Sequence, residues 1–174
     1  MDNRSTKTAW SYLLAVVSCA VLIVLDQATK WMAVVYLKDQ PPFIIWEGIF
    51  KLEYLENRGA AFGLMQNRQI LFAVGAVLIV ALVGVIYRKM PHTRRYYLLR
   101  LCFVLLSSGA VGNLIDRVRL NYVVDFFYFE LIDFPIFNVA DCYVVAACIL
   151  FAYSILFYYK EEELNCFSLR KRSG

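Results

Sequence analysis

Two aspartates occupy surroundings that do not suit a carboxylate. Asp125 lies in Tyr122-Val123-Val124-Asp125-Phe126-Phe127, and Asp141 lies in Phe137-Asn138-Val139-Ala140-Asp141. A carboxylate beside lipid is costly and is therefore a functional candidate. An acid among apolar and aromatic neighbours is desolvated, which raises its pKa. Brought together, the two acids share one proton, because close like charges do not both ionise. One then acts as a general base on water, while the protonated one polarises a scissile carbonyl and afterwards protonates the leaving amine. If Asn138 caps a helix, Asp141 falls in its first turn, where the macrodipole favours the anion. That position makes Asp141 the ionised partner and Asp125 the protonated one, although the pair titrates as a unit. An Asn followed by an Asp three residues on also reads simply as a capping pair, but that reading leaves Asp125 unexplained.

Other hydrolytic schemes fit poorly. The single histidine, His92, lies in a basic link remote in sequence from both acids, and no H-E-x-x-H motif occurs.

Three further polar stretches border the apolar segments. In Asp26-Gln27-Ala28-Thr29-Lys30 the acid and base are four apart and share a helix face in the favourable order. Spacing alone favours an interfacial charge pair with a snorkelling Lys30 over the wall of a site. Glu56-Asn57-Arg58-Gly59-Ala60-Ala61-Phe62-Gly63 reads as a turn leading into small residues, where Asn and Gly suit positive-φ positions. Gly109 and Gly112 allow close helix packing in lipid. Packing does not explain the polar edge formed by Asn113 and Arg117, where Arg117 is placed to orient a carboxylate or a substrate carbonyl.

These residues must be positioned by membrane helices. The chain has 174 residues, 61% of them hydrophobic, and a mean hydropathy of +0.58, whereas soluble domains carry about 45–50% apolar residues. A membrane span needs about 20 mostly apolar residues, and the stretches 10–37, 70–87, 96–115 and 139–159 qualify. The expectation is a single all-α polytopic membrane domain with four transmembrane helices.

Arg88, Lys89, Arg94 and Arg95 crowd the link between spans two and three; Lys160, Arg170, Lys171 and Arg172 follow span four; Arg4 and Lys7 precede span one. The positive-inside rule places these regions and both termini in the cytoplasm. The connections 38–69 and 116–138 then lie outside, which puts both acids at one membrane face. The basic link is too short and too tightly held for a nucleic-acid patch. In the first outer connection Pro41-Pro42 ends helix one, residues 43–46 read as a strand, Glu47-Gly48 as a turn, and 50–54 alternate as a half-buried strand does. Residues 121–129 are β-branched and aromatic, so extended. The outer segments should form a small sheet on the membrane whose apolar side can take an extended peptide by strand addition. The segment from Lys160 onward reads as a frayed helix end and a disordered basic terminus.

Cys19, Cys102, Cys142, Cys148 and Cys166 show neither disulfide nor zinc spacing, and buried apolar packing is the expectation. The apolar run of the first span continues past Cys19, unlike a signal peptide with its cleavage site beyond the apolar core, so a retained first helix is expected.

Taken in order, Asp26-Gln27-x-Thr29-Lys30, Asn57-x-Gly59-Ala60-Ala61-Phe62, Gly112-Asn113-x-x-Asp116-Arg117, Val124-Asp125 and Phe137-Asn138-x-Ala140-Asp141 resemble bacterial lipoprotein signal peptidase (signal peptidase II) over roughly residues 10–160. The resemblance departs mildly at Ser108-Gly109-Ala110, where the family has Gly-Gly-Ala. It implies four membrane helices, an outer β-cradle, and an aspartyl dyad of Asp125 and Asp141 near the outer leaflet. It implies substrate-binding or supporting roles for Asp26, Lys30, Asn57, Gly59, Asn113, Arg117, Asn138 and Ala140. It further implies cleavage of prolipoproteins before a diacylglyceryl-modified cysteine, in the bacterial inner or plasma membrane, by an enzyme in contact with membrane lipid that needs no cofactor and no partner subunit and acts as a monomer. Two other readings stay open on residues alone. A proton-coupled transporter would spread charges through the bilayer, and a prolipoprotein-binding scaffold would tolerate loss of either acid.

Overall fold

The computed structural model describes residues 3–59 and 69–167. Helix α1 runs over Asn3–Tyr36, α2 over Gln69–Lys89, α3 over Tyr97–Leu120 and α4 over Val139–Tyr153, the last continuing as one π-helical stretch Ser154–Tyr158. The apolar spans within them are Thr8–Tyr36, Gln69–Lys89, Arg94–Leu120 and Val139–Tyr158. The shortest has 20 residues, and at about 1.5 Å per residue it reaches across about 30 Å of hydrocarbon. Large apolar side chains such as Val16, Ile70, Leu78 and Ile149 point outward from the helices, as lipid-facing positions do.

The chain leaves α1 through Asp39, at φ 58°, and Pro41-Pro42 blocks further helix. Strand β1 is Phe43–Trp46 and β2 is Phe50–Asn57, joined through Gly48 at φ 69°, a left-handed turn position that glycine takes without steric cost. Strand β3 is Val123–Phe129, and the three form an antiparallel sheet in the order β1-β2-β3. The simple alternation expected for residues 50–54 is not seen. All five are half-buried, and the register shifts between Leu52 and Leu55. That irregularity sets the pairing so that Leu55 opposes Asp125 and Asn57 opposes Val123. Asn57 and Asp125 thereby become diagonal neighbours on one face.

Three expected boundaries move. Helix α3 continues past Ile115 to Leu120, so Asp116 and Arg117 are helical and not part of the outer connection. Asn121, expected to be extended, is the left-handed C-cap of α3 at φ 62°, its N–H donating to Arg117 O, a role asparagine tolerates. The segment after Lys160 is ordered through a 3-10 helix, Glu161–Phe167. Its Glu163 pairs with Arg95 (2.9 Å), and Tyr96 Oη donates to Glu163 O (2.8 Å). Arg170, Lys171 and Arg172 lie outside the described residues.

Apolar packing closes the bundle at both ends. Val83, Tyr87, Met90, Leu99, Phe103 and Tyr159 form one buried cluster; Ala33, Val124 and Phe126 form another where β3 crosses α1. The cysteine expectation holds in part. Cys102 is buried and Cys19 half-buried, but Cys142 and Cys148 are exposed on α4, and the side chain of Cys166 lies outside the described set. All four described cysteines are free. In a lipid-facing helix such a thiol behaves as a small apolar group.

Candidate active site

Each acid is delivered by a different local device. Asp125 is carried on β3, whose free side is closed by the chain before α4. Phe127 N–H donates to Phe137 O at 2.8 Å and Phe137 N–H donates back to Phe127 O at 3.0 Å. This bridge lays Asn138 beside Asp125. Asn138 then starts α4 as its N-cap, with the reciprocal capping box that the sequence implied. Its Oδ1 accepts from Asp141 N–H (3.0 Å), and Asp141 Oδ2 accepts from Asn138 N–H (3.1 Å). Capping and the meeting of the two acids are thus one arrangement, since the residue that caps Asp141 also touches Asp125.

Asp125 is 1% exposed. Its Oδ1 accepts from Asn138 Nδ2 at 2.6 Å and its Oδ2 from Asn57 Nδ2 at 2.8 Å. Burial, and next the charge of Asp141, raise its pKa to about 7, against the pull of the Asn57 and Asn138 amides. Asp141 is half-exposed and accepts a further bond from Asn113 Nδ2 at 2.8 Å.

The amide orientations of the three asparagines are each fixed by a partner that can only donate. Asn57 Oδ1 accepts from Gly59 N–H (3.0 Å), Asn113 Oδ1 from Lys30 Nζ (2.8 Å), and Asn138 Oδ1 from Asp141 N–H. With their oxygens so engaged, all three turn N–H groups toward the carboxylates. Gly59 is buried, while Ala60, Ala61, Phe62 and Gly63 of the same motif lie outside the described residues.

Asp26 and Lys30 depart from the interfacial, snorkelling pair expected from spacing. They are 0% and 3% exposed, and Lys30 Nζ lies 3.0 Å from both Asp26 Oδ2 and Asp116 Oδ2. A lysine with two carboxylates and an amide oxygen inside the protein has no reason to reach for water. Asp26 Oδ1 in turn accepts from Ala140 N–H at 2.9 Å, and the Ala140 side chain is fully buried. The expected glycine packing has a definite geometry here. A Cβ on Gly112 would stand 2.5 Å from Asp26 Oδ2, and one on Gly109 would stand 2.5 Å from Ala140 O.

Arg117 is not among the direct partners of either acid. Its Nη1 donates to Asn113 O at 3.4 Å, its guanidinium lies 5.1 Å from the Phe72 ring centroid on α2, and its buried Nε has no partner among the described residues. His92 lies at the other end of the bundle, beside the Tyr12 and Tyr87 rings. Among the described residues no cluster of histidine, cysteine and carboxylate side chains could hold a metal.

Two residues that stand in the sequence motifs but were given no role there join the buried polar group. Gln27 Nε2 donates to Asp116 Oδ1 (2.9 Å), to Gly112 O (3.2 Å) and to Asp26 Oδ2 (3.2 Å). Asp116 also accepts from Val124 N–H at 3.2 Å. Their spacing carried a signal: Gln27 precedes Lys30 by three and Asp116 follows Asn113 by three, so each shares a helix face with a residue already chosen.

The arrangement is a buried carboxyl and a half-exposed carboxylate tied through one asparagine, which can hold and exchange a proton beside water. A family model described as signal peptidase (SPase) II matches residues 18–157. The chain is 41% identical over 150 residues to a lipoprotein signal peptidase of Caldanaerobacter subterraneus subsp. tengcongensis, covering 83% of this chain and 97% of that one. It is 42% identical over 148 residues to the lipoprotein signal peptidase of Clostridioides difficile, covering 84% and 95%. A solved bacterial membrane enzyme superposes with a TM-score of 0.71 at 24% identity, over 91% of this chain and 93% of the other, and a second with 0.69 at 26% identity, over 84% and 94%.

Proposed function

Because the chain belongs to the signal peptidase II family, a family of aspartic peptidases, we propose that Asp125 and Asp141 are the dyad with which this multi-pass membrane protein removes signal peptides from prolipoproteins. The observation that carries the assignment is the Asn138 junction. One residue donates its side-chain amide to Asp125 and its backbone N–H to Asp141.

The half-exposed Asp141, in the first turn of α4, serves as the base toward water, and buried Asp125 keeps the shared proton. A water between them gives one proton to Asp141 as its oxygen attacks the scissile carbonyl carbon. Asp125 gives its proton to the carbonyl oxygen, forming a neutral tetrahedral diol. The C–N bond then breaks as the amide nitrogen takes the proton that Asp141 drew from water, and not one from Asp125 as expected above, because the Asp125 proton already sits on the diol. Asp125 recovers its proton from the diol hydroxyl, leaving a carboxylic acid, an amine and a dyad in its starting state. Asn57, Asn113 and Asn138 hold the two carboxyl groups in place, Gly59 orients Asn57, and Asp26 and Lys30 with Ala140 brace the network from α1. Arg117 lies one helical turn from Asn113 and bonds its carbonyl, which assigns it the flank of the site toward α2.

The substrate class follows from family membership and from the setting. It is a prolipoprotein bearing diacylglyceryl on the cysteine after the cut, its lipid chains in the bilayer and its signal peptide against the sheet. Anchoring both molecules in one membrane lowers the entropic cost of their meeting. The basic residues Arg88, Lys89, Arg94 and Arg95 orient the α2–α3 link to the cytoplasm, which puts both termini inside and the dyad near the outer leaflet. One chain contains the whole site, so a monomer suffices.

The test is cleavage of a diacylglyceryl-modified prolipoprotein by Asp125→Asn and Asp141→Asn. Each is expected to lose about a thousandfold or more in kcat. Near wild-type cleavage by either variant removes the dyad assignment.

A further inference from the structure

Two buried carboxylates, Asp26 and Asp116, have no part in the reaction steps, and Asp116 is the one bonded to β3. Asp116 is 3% exposed, and its two oxygens receive donors from two other elements. Oδ1 takes Gln27 Nε2 from α1 at 2.9 Å; Oδ2 takes Lys30 Nζ, also from α1, at 3.0 Å and the Val124 backbone N–H from β3 at 3.2 Å. Val124 is the residue before Asp125. Lys30 passes its own donor to Asn113 Oδ1 at 2.8 Å, and Asn113 Nδ2 donates to Asp141 at 2.8 Å. Asp116 therefore reaches Asp125 through one peptide unit and Asp141 through one lysine and one amide.

Charge balance alone does not account for it. Lys30 already has Asp26 at 3.0 Å, so a second carboxylate for the same ammonium adds a buried charge that is costly to desolvate. The bond that Asp26 does not duplicate is the one to Val124 N–H. Without it, the start of β3 would lose its only described tie to the polar groups of α3, apart from those that run through the asparagines.

Resting on the dyad reading above, we infer that Asp116 is a positioning residue that sets both acids at once: it fixes the β3 backbone that carries Asp125 and, through Lys30, the Asn113 amide that holds Asp141. It touches neither substrate nor water. Its loss leaves the binding surface in place and misplaces the two reacting groups, and a displacement of about 1 Å costs on the order of a hundredfold in rate.

The experiment measures kcat, KM and the thermal midpoint of the purified full-length protein in detergent, with a diacylglyceryl-modified prolipoprotein as substrate. Asp116→Ala is expected to lower kcat about 10- to 100-fold with KM within about twofold of wild type. In an Asn113→Ala background the same substitution is expected to cost several-fold less, because the two act along one path and their effects do not add. A kcat per folded molecule within about twofold of wild type, a rise in KM that carries the whole loss, or an undiminished loss in the Asn113→Ala background overturns the inference. If Asp116→Ala does not fold, Gln27→Met decides. It leaves every charge in place and frees Asp116 Oδ1, so a fall in kcat of about threefold or more at unchanged KM supports the inference, and an unchanged kcat overturns it. Asp125→Asn is run alongside. Activity in that variant removes the dyad reading, and this inference with it; an inactive Asp125→Asn beside an unimpaired Asp116→Ala removes this inference alone.

Discussion

Asn138 Nδ2 lies 2.6 Å from Asp125 Oδ1, while the Asn138 backbone N–H and side-chain oxygen are both taken by Asp141. A single asparagine thus serves as a helix cap and as the link between two carboxyl groups carried on different elements. The two duties are chemically separable, since the cap needs only an oxygen and the link needs an N–H.

Substitutions at Asn138 separate them. Serine keeps a capping oxygen for the Asp141 N–H, whereas alanine keeps none, so Asn138→Ala is expected to be less stable than Asn138→Ser by about 0.5–2 kcal/mol. Both lose the donor to Asp125, which becomes charged once it has given its proton to the carbonyl oxygen, and a hydrogen bond to a charged group is worth about 1.5–3 kcal/mol, so both should lose about 10- to 100-fold in turnover. Chemical denaturation in detergent and cleavage kinetics on the two variants check this. Full turnover in Asn138→Ser would show that the amide is not needed.

The proton on Asp125 sets an alkaline limit to activity. Its pKa is raised to about 7 by burial and by Asp141, and the reaction needs that proton at the start. A plot of log kcat/KM against pH, which reports the free enzyme, is expected to bend downward near pH 7 and approach a slope of −1 above it. The same group links pH to stability. The folded protein holds a proton that the unfolded chain, with the ordinary value of 3.8, has released, so stability declines as pH rises from about 4 to about 7. Asp125→Asn should flatten that decline, as measured by thermal midpoints across the range.

The approach of α3 to α1 and α4 leaves no room for a methyl group. Gly112→Ala would place Cβ 2.5 Å from Asp26 Oδ2, and Gly109→Ala would place it 2.5 Å from Ala140 O and 2.7 Å from Val144 Cγ2. Each is expected to cost about 1–3 kcal/mol through overpacking. Gly112→Ala, which presses on the acid bound to Ala140, should also lower turnover. Gly75, with no described residue within 4 Å of its would-be Cβ, is the control. Gly75→Ala should leave activity unchanged and leave stability equal or slightly raised.

Orientation is checked at the turn between β1 and β2. Glu47 is exposed there, so Glu47→Cys in intact cells should react with a membrane-impermeant maleimide added outside, once any outer membrane is permeabilised. A cysteine at Lys89, in the basic link, should react only after lysis. The reverse pattern would invert the topology drawn from the positive residues.

Much of this was legible along the chain because it is local. Four long apolar runs report four helices, since a bilayer admits few other ways to satisfy a backbone. Pro41-Pro42, Gly48 and the Asn138–Asp141 pair mark their ends, because caps and turns depend on a few adjacent residues. Asp125 and Asp141 stood out because a carboxylate among apolar residues conflicts with its surroundings whatever the fold. The register shift between Leu52 and Leu55 was not legible, because irregular pairing depends on what lies across the sheet. Nor was the full length of α3, which runs on to Leu120 beyond the apolar stretch that ends at Ile115. The Asp26–Lys30 pair was visible, but its destination was not. Spacing reports that two side chains share a face; it does not report whether that face meets water or a second helix bearing Asp116 and Asn113.

The sequence by itself determined the elements, the two acids and the cap, because each follows from neighbours within a few positions. Only the tertiary structure decided that Lys30 is buried, that Asn57, Asn113 and Asn138 all turn N–H groups toward the carboxyl groups, and that Asp116 reaches the neighbourhood of both. Those outcomes depend on contacts among α1, β2, α3, β3 and the start of α4, some between residues 89 positions apart, and a hydrogen bond's direction is fixed only when both of its partners are in place.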